Sequence, residues 1–227
     1  MSWQGNLPPV IVLCGGEGVR LRPLTYDCPK PLIQLRGRSI IDYVLEHLRS
    51  YGFTDITLAA GYKFDMLRDH FLGSDIRVVD TGNQDIAGRL RQLDTRNATE
   101  TLVLYGDTLS DVNLTSLITS HREGQHQATV TVWPLRSSFG LFQLSDNGQV
   151  QEYREKPILD HWINIGYFVF SRDALRSIGD SDSFEVALRQ LVNARSLQAF
   201  QHHGLHITVN TRAELEDAET SLATWHP

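Results

Sequence analysis

The feature that most constrains this chain is one stretch near its beginning, where a short apolar segment runs directly into closely spaced glycines. Residues 10–13 read Val-Ile-Val-Leu, an aliphatic run that is typical of a parallel strand covered on both faces. Gly15, Gly16 and Gly18 follow, and glycines allow a turn whose backbone N–H groups come close to a ligand. Successive N–H groups of this kind bind anions, so the stretch predicts a phosphate-binding strand–turn unit.

Two positive charges follow the glycine turn. Arg20 comes just after it, and Lys30 lies between Pro29 and Pro31, which stiffen the backbone on both sides of the lysine. The spacing does not fit a dinucleotide fingerprint, because position 21 is Leu, and it does not fit a P-loop, because no Gly-Lys-Ser/Thr follows. The alternative is a glycine-rich turn with solvated charges, which gives the Pro-Lys-Pro no role.

Strand-like and helix-like segments alternate over the first half of the chain, which predicts a mostly parallel sheet with helices on both faces. The predicted strands there are 10–13, 55–60, 76–79 and 101–105, and the predicted helices are 40–48, 63–71 and 114–122. The second half is predicted to contain strands 128–133, 141–144, 150–153, 165–170, 197–201 and 206–209, and helices 184–192 and 211–222. We interpret its strands as antiparallel additions to the same sheet or to a small subsheet.

Polar or glycine residues stand where several of these strands end: Gly15, Gly61, Asp107 and Asn210. In open α/β sheets, ligands bind beyond the carboxyl ends of the strands, so these positions are the candidate site. A carboxylate and an amide oxygen suit Mg²⁺, which prefers oxygen ligands. Asp107 and Asn210 are therefore candidate metal ligands, and helix capping is the alternative role for each.

Composition narrows the classes of function. A net charge of −6, with 21% charged and 41% hydrophobic residues, is ordinary for a soluble globular chain and argues against a nucleic-acid-binding protein. No apolar run approaches a membrane span, and residues 1–9 lack the basic and apolar segments of a signal peptide. The two cysteines, Cys14 and Cys28, have no zinc-site spacing, so reduced thiols and a cytoplasmic location are expected.

The segment 15–32 resembles the signature of nucleoside triphosphate:sugar-1-phosphate nucleotidyltransferases, a Gly-Gly-x-Gly-x-Arg-Leu run followed by Pro-Lys-Pro. The resemblance implies a Rossmann-like three-layer αβα sandwich with a mixed, mostly parallel sheet. It covers about residues 10–222, which places residues 1–227 in a single domain, with a nucleotide-binding half (1–125) and an acceptor-binding half (126–227). It implies catalytic roles for Arg20 and Lys30, and nucleotide binding by Leu13, Gly15, Gly16 and Gly18.

Later motifs are similar to the acceptor-binding positions of that family. They are Phe139-Gly140, Glu155-Lys156-Pro157 and Asn164-Ile165-Gly166-Tyr167. The resemblance implies that Gly140, Glu155, Lys156 and Asn164 bind the phosphorylated sugar. A lysine is a compact charge suited to a phosphate dianion. Hairpin geometry and a solvated charge pair are the alternative interpretations.

Three further stretches most resemble the glucose-1-phosphate cytidylyltransferase branch: Gly61-Tyr62-Lys63, Val79-Asp80-Thr81-Gly82 and Gly88-Arg89-Leu90. They imply nucleotide binding by Thr81, Gly82 and Gly88. The chain is one glycine short of that branch between Thr81 and Arg89. The expected reaction joins an NTP, with CTP favoured over GTP, to a sugar 1-phosphate with Mg²⁺.

Other functions stay open at this point. One alternative is a guanylyltransferase for heptose or mannose 1-phosphate, and another is nucleotidyl transfer to a non-sugar phosphate or phosphonate. A third is a regulatory subunit that binds sugar nucleotides without catalysis, against which the four residues Arg20, Lys30, Asp107 and Lys156 argue together. For the assembly, a homodimer is the base-rate expectation.

Overall fold

The computed structural model of the protein describes residues 6–93 and 98–225. Within these ranges the strands are β1 (Val10–Cys14), β2 (Gln34–Leu35), β3 (Arg38–Ser39), β4 (Ile56–Ala60), β5 (Arg77–Asp80), β6 (Glu100–Tyr105), β7 (Thr108–Ser110), β8 (Ala128–Arg136), β9 (Leu141–Leu144), β10 (Val150–Arg154), β11 (Ile158–Ser171), β12 (Leu197–Gln201) and β13 (His206–Thr208). The α-helices are α1 (Leu24–Asp27), α2 (Ile40–Ser50), α3 (Phe64–His70), α4 (Ile86–Arg91), α5 (Leu114–Glu123), α6 (Arg172–Asp180), α7 (Phe184–Asn193) and α8 (Arg212–Ser221).

Seven strands from both halves of the chain form one central sheet, in the order β12-β8-β11-β6-β1-β4-β5. The pairs β1–β4, β1–β6, β4–β5 and β8–β12 are parallel, whereas β11 runs antiparallel to both of its neighbours, β6 and β8. The predicted mixed, mostly parallel sheet is confirmed. No helix in the described ranges combines the length and the apolar character that a membrane crossing requires.

Helices cover both faces of the sheet, and β1 shows how one strand serves two cores. Val10 and Val12 pack in one core with residues of α2 and α5, whereas Ile11 packs in the other core with residues of α4, α6 and α7. Successive side chains of a strand point to opposite faces, so an aliphatic run without a polar residue is what a doubly covered strand needs. The three-layer architecture predicted from the sequence is confirmed.

Three two-stranded sheets, β2–β3, β7–β13 and β9–β10, lie outside the central sheet. The strand β13 pairs antiparallel with β7 in one of these small sheets, which is one of the two arrangements that the sequence allowed, and Asn210 follows it. The strands β9 and β10 pair with each other as the hairpin that Asp146-Asn147-Gly148 predicts. The strand β11, which lies between β8 and β6 in the central sheet, begins at Ile158 and is longer than the predicted strand 165–170.

Three helices, α1, α4 and α6, were not predicted. Asp85 caps α4 by accepting a hydrogen bond from the Gly88 backbone N–H at 2.9 Å, and Ser171 caps α6 in the same way through Ala174 N–H. Gly179 masks the helical pattern of α6, but it fits a packing need, because a Cβ there would lie 3.3 Å from the Arg91 backbone of α4. Close approach of two helices therefore explains a glycine that reads as a helix breaker.

The buried histidine His47 makes the stability of this fold depend on pH. His47 is 1% exposed on α2, and its Nε2–H donates to the Val112 carbonyl at 3.1 Å. Burial lowers the pKa of His47 to about 4, and the His202 ring acts in the same direction, whereas the bond to Val112 and the charge of Asp111 oppose the shift. The folded protein thus holds this imidazole neutral.

We expect unfolding free energy to fall as the pH is lowered from about 6.5 to about 4, because in this window the unfolded state binds a proton that folded His47 does not. His47→Gln keeps a donor for Val112 and removes the titration. Urea unfolding at several pH values should give a slope that is smaller in this variant, by up to about 1.4 kcal/mol per pH unit. Equal slopes in the two proteins would contradict the assignment.

Candidate active site

A cavity of about 250 Å³ opens at the carboxyl ends of β1 and β6, where the sequence places the candidate site. Most of the predicted nucleotide, catalytic and metal residues line it: Leu13, Gly16, Gly18, Arg20, Lys30, Asp107 and Asn210. The residues that line the cavity are far apart in the sequence, from Leu13 to Asn210. The fold therefore brings the glycine turn, both predicted catalytic cations and both predicted metal ligands to one place.

Lys30 is the centre of this cavity's polar network. Its Nζ donates to Asp107 Oδ2 at 2.5 Å and to Asn210 Oδ1 at 2.8 Å, although only 7% of the residue is exposed. The residue begins a 3₁₀ turn, Lys30–Leu32, that Pro29 precedes and Pro31 continues. A lysine held by such a rigid turn and by two oxygen acceptors has little rotamer freedom, so its ammonium group has a defined position.

Asn210 reaches the cavity through a segment that is itself held at several points. Its backbone N–H donates to Glu214 Oε2 at 2.8 Å, and the Glu214 N–H donates to the hydroxyl of Thr211 at 3.2 Å, an arrangement close to a capping box. Its side-chain oxygen accepts a second bond from Arg20 Nη2 at 3.1 Å. The amide oxygen therefore faces two cationic side chains, which is the orientation that an oxygen ligand for a cation requires.

The glycines of the turn have different surroundings. Gly18 has a φ of 61°, a conformation that favours glycine, and its carbonyl accepts from the hydroxyl of Thr25 at 3.0 Å. A Cβ at Gly16 would meet no atom within 4 Å, so this residue opens onto the cavity. A Cβ at Gly15 would lie 1.7 Å from Arg89 Nη1, so Gly15 is needed for packing. It does not line the cavity as Gly16 does.

Arg89 lies against Gly15 and explains why Gly15 is buried while Gly16 lines the cavity. The sequence reasoning gave Arg89 no role. It is 5% exposed, and its guanidinium donates to Gly15 O at 2.9 Å, to Ala60 O at 3.1 Å and to Thr81 Oγ1 at 2.7 Å. It thus ties the glycine turn to the ends of β4 and β5. The resemblance drew attention to the stretch Gly88-Arg89-Leu90, but sequence alone does not tell a buried arginine from a ligand-binding one.

The three remaining predicted nucleotide-binding residues do not line this cavity. Thr81 is 1% exposed, and its hydroxyl donates to Ala60 O at 2.5 Å. Gly88 lies in the first turn of α4, where its N–H is used by the Asp85 cap. Gly82 is exposed, has a φ of 64° and donates its N–H to Asp80 Oδ1 at 2.9 Å. A role for these residues in base recognition stays a prediction.

Three of the predicted acceptor residues, Gly140, Glu155 and Lys156, lie at the base of the β9–β10 hairpin, and the fourth, Asn164, lies on β11. The Tyr153 hydroxyl donates to Glu155, and a Cβ at Gly140 would lie 2.5 Å from that hydroxyl and 2.9 Å from Glu155 Oε2. Lys156 is exposed and has a φ of 42°. Gly140 and Glu155 are therefore close neighbours, as a shared ligand site requires, although neither lines the cavity at Lys30.

Comparison with known proteins gives the family. The sequence model of the nucleotidyl transferase family matches residues 9–202 of this chain. The chain belongs to the nucleotidyl transferase family. It is 29% identical to a probable glucose-1-phosphate cytidylyltransferase of Bacillus subtilis (strain 168), over 90% of this chain and 92% of that protein. The family and the enzyme class predicted from the sequence are confirmed.

Other relatives of this nucleotidyltransferase carry different names. It is 31% identical to mannose-1-phosphate guanyltransferase beta-A of Xenopus laevis, over 74% of this chain, and it spans about half (51%) of that protein. The crystal structure of HddC from Yersinia pseudotuberculosis, complexed with GMP-PN, superposes with a TM-score of 0.72 at 20% identity, covering 95% of this chain and 100% of that one. This structural similarity shows that the two proteins share a fold.

A second residue of the nucleotidyltransferase that the sequence reasoning missed is Tyr105, which joins the two predicted binding regions. It ends β6, two residues before Asp107, and its hydroxyl accepts from Asn164 Nδ2 at 3.5 Å. The other amide atom, Asn164 Oδ1, accepts from the Gly166 N–H at 2.8 Å, which fixes the amide. Burial raises the pKa of Tyr105, so the phenol keeps its proton.

The side-chain oxygen atoms of Asp107 and Asn210 that surround the Lys30 ammonium suit a divalent cation. Among residues 6–93 and 98–225 no group of three or more His, Cys, Asp and Glu side chains forms a metal site. Asp107 and Asn210 nevertheless direct oxygen atoms at one point, which the Lys30 ammonium occupies at 2.5 and 2.8 Å. A point that already holds one cation between a carboxylate and an amide oxygen fits the hard-cation chemistry of Mg²⁺.

Proposed function

We propose that the enzyme transfers a nucleotidyl group from an NTP, CTP by preference, to a sugar 1-phosphate, and releases pyrophosphate. The observation that carries the proposal is the convergence of Lys30, Arg20, Asp107 and Asn210 on one cavity beside an open glycine turn. A reaction between two polyanions needs this combination, because positive charge must offset their repulsion while both are aligned.

In the proposed reaction, an oxygen of the sugar phosphate attacks the α-phosphorus in line. A new P–O bond forms as the bond to the β-phosphate oxygen breaks, and pyrophosphate leaves. The N–H groups of Gly16 and Gly18, with Arg20, hold the β- and γ-phosphates, and Lys30 stabilises the charge that grows on the reacting phosphate. The nucleophile is already an anion, so no general base is needed, and among the described residues no histidine lines the cavity.

Asp107 and Asn210 are the residues that would hold Mg²⁺, which when bound neutralises phosphate charge and polarises the phosphoryl oxygens. One carboxylate and one amide supply little negative charge, so we expect weak cation binding by the free enzyme and stronger binding once phosphates are present. On the acceptor side, Lys156 meets the sugar phosphate, and Glu155, Asn164 and the Gly140 backbone contact the sugar.

The preference for CTP rests on the stretches that resemble the cytidylyltransferase branch and on the Bacillus subtilis relative, which matches this chain over 90% of its length. The alternative is a guanylyltransferase for mannose or heptose 1-phosphate, which the Xenopus laevis relative at 31% identity favours. Pyrophosphate release is the test, with four NTPs assayed against a panel of sugar 1-phosphates and phosphonates. We expect the highest rate with CTP and glucose 1-phosphate, and no pyrophosphate release with any pair would contradict the proposal.

Tyr105→Phe tests the acceptor side. We expect KM for the sugar 1-phosphate to rise about 10-fold, while KM for the NTP stays within about 2-fold, because one hydrogen bond in a polar site accounts for about 1.4 kcal/mol. Tyr167→Phe is the matched control, since Tyr167 is fully buried on β11 and its hydroxyl donates to Ser110 O at 3.4 Å. An unchanged acceptor KM in Tyr105→Phe would remove Tyr105 from the site.

A further inference from the structure

Glu17 is a carboxylate in the middle of the glycine turn, where the proposed function places phosphates. It lies between Gly16 and Gly18, both of which line the cavity. Its side chain is 42% exposed, so packing in a core does not explain its place in the turn. A carboxylate beside bound phosphates repels them, because both are negatively charged. An acidic residue in an anion-binding turn therefore needs a neighbouring positive charge.

Arg22 supplies that charge from the far end of the same turn. Its Nη2 lies 3.2 Å from Glu17 Oε2, and its guanidinium carbon lies 5.2 Å from the centroid of the Tyr26 ring. Arg22 directly follows the 3₁₀ turn Val19–Leu21, whose three residues all line the cavity. The ion pair therefore joins the two ends of a short segment at the edge of the cavity.

The free enzyme has little uncompensated positive charge at the cavity. Lys30 is already paired with Asp107, whereas Arg20 donates to the neutral amide of Asn210. Among the described residues that line the cavity, Arg20 therefore carries the one positive charge that no carboxylate offsets. A triphosphate brings several negative charges, and a guanidinium can meet a phosphate group with two parallel hydrogen bonds. A second arginine close to the cavity would thus strengthen the binding of a triphosphate.

Arg22 is held less firmly than Arg38, which has the same kind of surroundings. Arg38 lies 2.5 Å from a carboxylate oxygen of Glu46 and 4.8 Å from the centroid of the Tyr43 ring. It also donates to the Asp42 backbone carbonyl at 3.0 Å. In the described part of the chain, the Arg22 guanidinium has no such backbone acceptor. An exposed ion pair with one hydrogen bond contributes little stability, so an anion of higher charge can displace the carboxylate.

We propose that Glu17 binds Arg22 in the free enzyme, and that the terminal phosphate of a bound NTP displaces Glu17 and binds Arg22 instead. Arg22 then joins Arg20 as a second arginine of the triphosphate site, and water solvates the exposed carboxylate of Glu17. The exchange favours a triphosphate over a monophosphate, because only the triphosphate supplies the terminal group that competes with Glu17. This inference rests on the phosphate positions assigned under the proposed function.

Isothermal titration calorimetry of the full chain tests the exchange, with CTP, CMP and inorganic triphosphate as separate ligands and no acceptor present. We expect Arg22→Met to weaken the binding of CTP and of inorganic triphosphate about 10-fold, while CMP binding stays within about 2-fold, because one charge-assisted contact is lost. Glu17→Gln should tighten the binding of both triphosphates about 3-fold, since it frees Arg22 and removes a like charge. Equal weakening of CTP and CMP binding in Arg22→Met would contradict a contact with the terminal phosphate.

Arg38→Met is the matched control. The side chains of Arg38 and Glu46 are 40% and 41% exposed, close to the 38% and 42% of Arg22 and Glu17. Each arginine variant loses one ion pair and one ring contact, so a purely structural effect would appear in both. We expect Arg38→Met to bind CTP within about 2-fold of the wild type.

The double variant, Glu17→Gln with Arg22→Met, separates a phosphate contact from simple charge neutralisation. If Arg22 contacts phosphate, the double variant binds inorganic triphosphate about 10-fold more weakly than Glu17→Gln alone, which is the result we expect. If Arg22 only offsets the charge of Glu17, its loss has no effect once Glu17 is neutral. Equal affinities in these two variants would therefore overturn the proposal, as would a wild-type protein that binds no inorganic triphosphate.

Pyrophosphate release distinguishes failure of this inference from failure of the proposed function. An enzyme that binds triphosphate through Arg22 but releases no pyrophosphate with any acceptor would contradict the proposed reaction and leave the exchange between Glu17 and phosphate supported. An enzyme that releases pyrophosphate, and whose KM for the NTP is the same in Arg22→Met as in Arg38→Met, would contradict the exchange and leave the reaction supported.

Discussion

Lys30→Met is expected to lower kcat for nucleotidyl transfer by about 10²-fold or more without unfolding the protein. The ammonium of Lys30 is held by Asp107 and Asn210 at the cavity, and loss of a preorganised donor aimed at developing charge typically costs about 2.7–4 kcal/mol in the transition state. Methionine keeps the length and the apolar stem of lysine. The measurement is steady-state pyrophosphate release, with thermal unfolding to confirm the fold.

Lys63→Met is the matched control for this variant, because it removes the same charge from a residue that does not line the cavity. We expect its kcat to stay within about 3-fold of the wild-type value. Turnover in Lys30→Met equal to that of the control would remove Lys30 from the mechanism.

A second measurement on Lys30→Met tests whether Asp107 and Asn210 form a cation site, independently of the effect of Lys30 on kcat. In the free enzyme the ammonium stands between the two oxygens that suit a cation, so lysine and a divalent ion compete for them. Titration of Mn²⁺ into the protein without nucleotide should therefore show tighter binding in Lys30→Met than in the wild type. Equal or weaker binding would mean that Asp107 and Asn210 do not form a cation site.

Gly15→Ala is expected to destabilise the fold by about 3 kcal/mol. The new Cβ would lie 1.7 Å from Arg89 Nη1, so the guanidinium would have to leave its bonds to Gly15 O, Ala60 O and Thr81 Oγ1. Breaking a buried charged group away from its partners typically costs about 3–5 kcal/mol. Urea unfolding measures the change in the free energy of unfolding.

The neighbouring residue provides the control. A Cβ at Gly16 would meet no atom within 4 Å, so Gly16→Ala should change the free energy of unfolding by less than about 0.5 kcal/mol. The same substitution at adjacent positions thus separates steric conflict from the loss of glycine flexibility. Equal destabilisation in the two variants would show that Arg89 does not account for the glycine at position 15.

Much of the central cavity could be predicted from the sequence because it depends on local patterns. Apolar runs located the strands, and the rule that ligands bind at their carboxyl ends singled out Gly15 and Asp107 without reference to any family. The residue pattern also drew attention to Arg20 and Lys30, and the resemblance added their catalytic roles. The structure places Lys30 beside Asp107 and Asn210, and Arg20 beside Asn210. Their chemical roles stay predictions.

What the sequence could not provide depends on contacts between distant segments. Arg89 contacts Gly15, which is 74 positions away, and no local pattern shows that an arginine is buried against carbonyl oxygens. Asn210 itself was predicted as a site residue, but the pairing of β13 with β7 that precedes it was not. The helix α6 was missed because Gly179 weakens its pattern, and the reason for that glycine lies on α4.

The pairing of β13 with β7 has a consequence for synthesis of the protein. A chain that has left the ribosome only as far as β12 already contains every strand of the central sheet. It lacks Asn210, so Lys30 then has Asp107 and no amide oxygen beside it. A nascent chain that ends at β12 therefore holds the whole scaffold of the sheet before the last residue of the proposed site has been made.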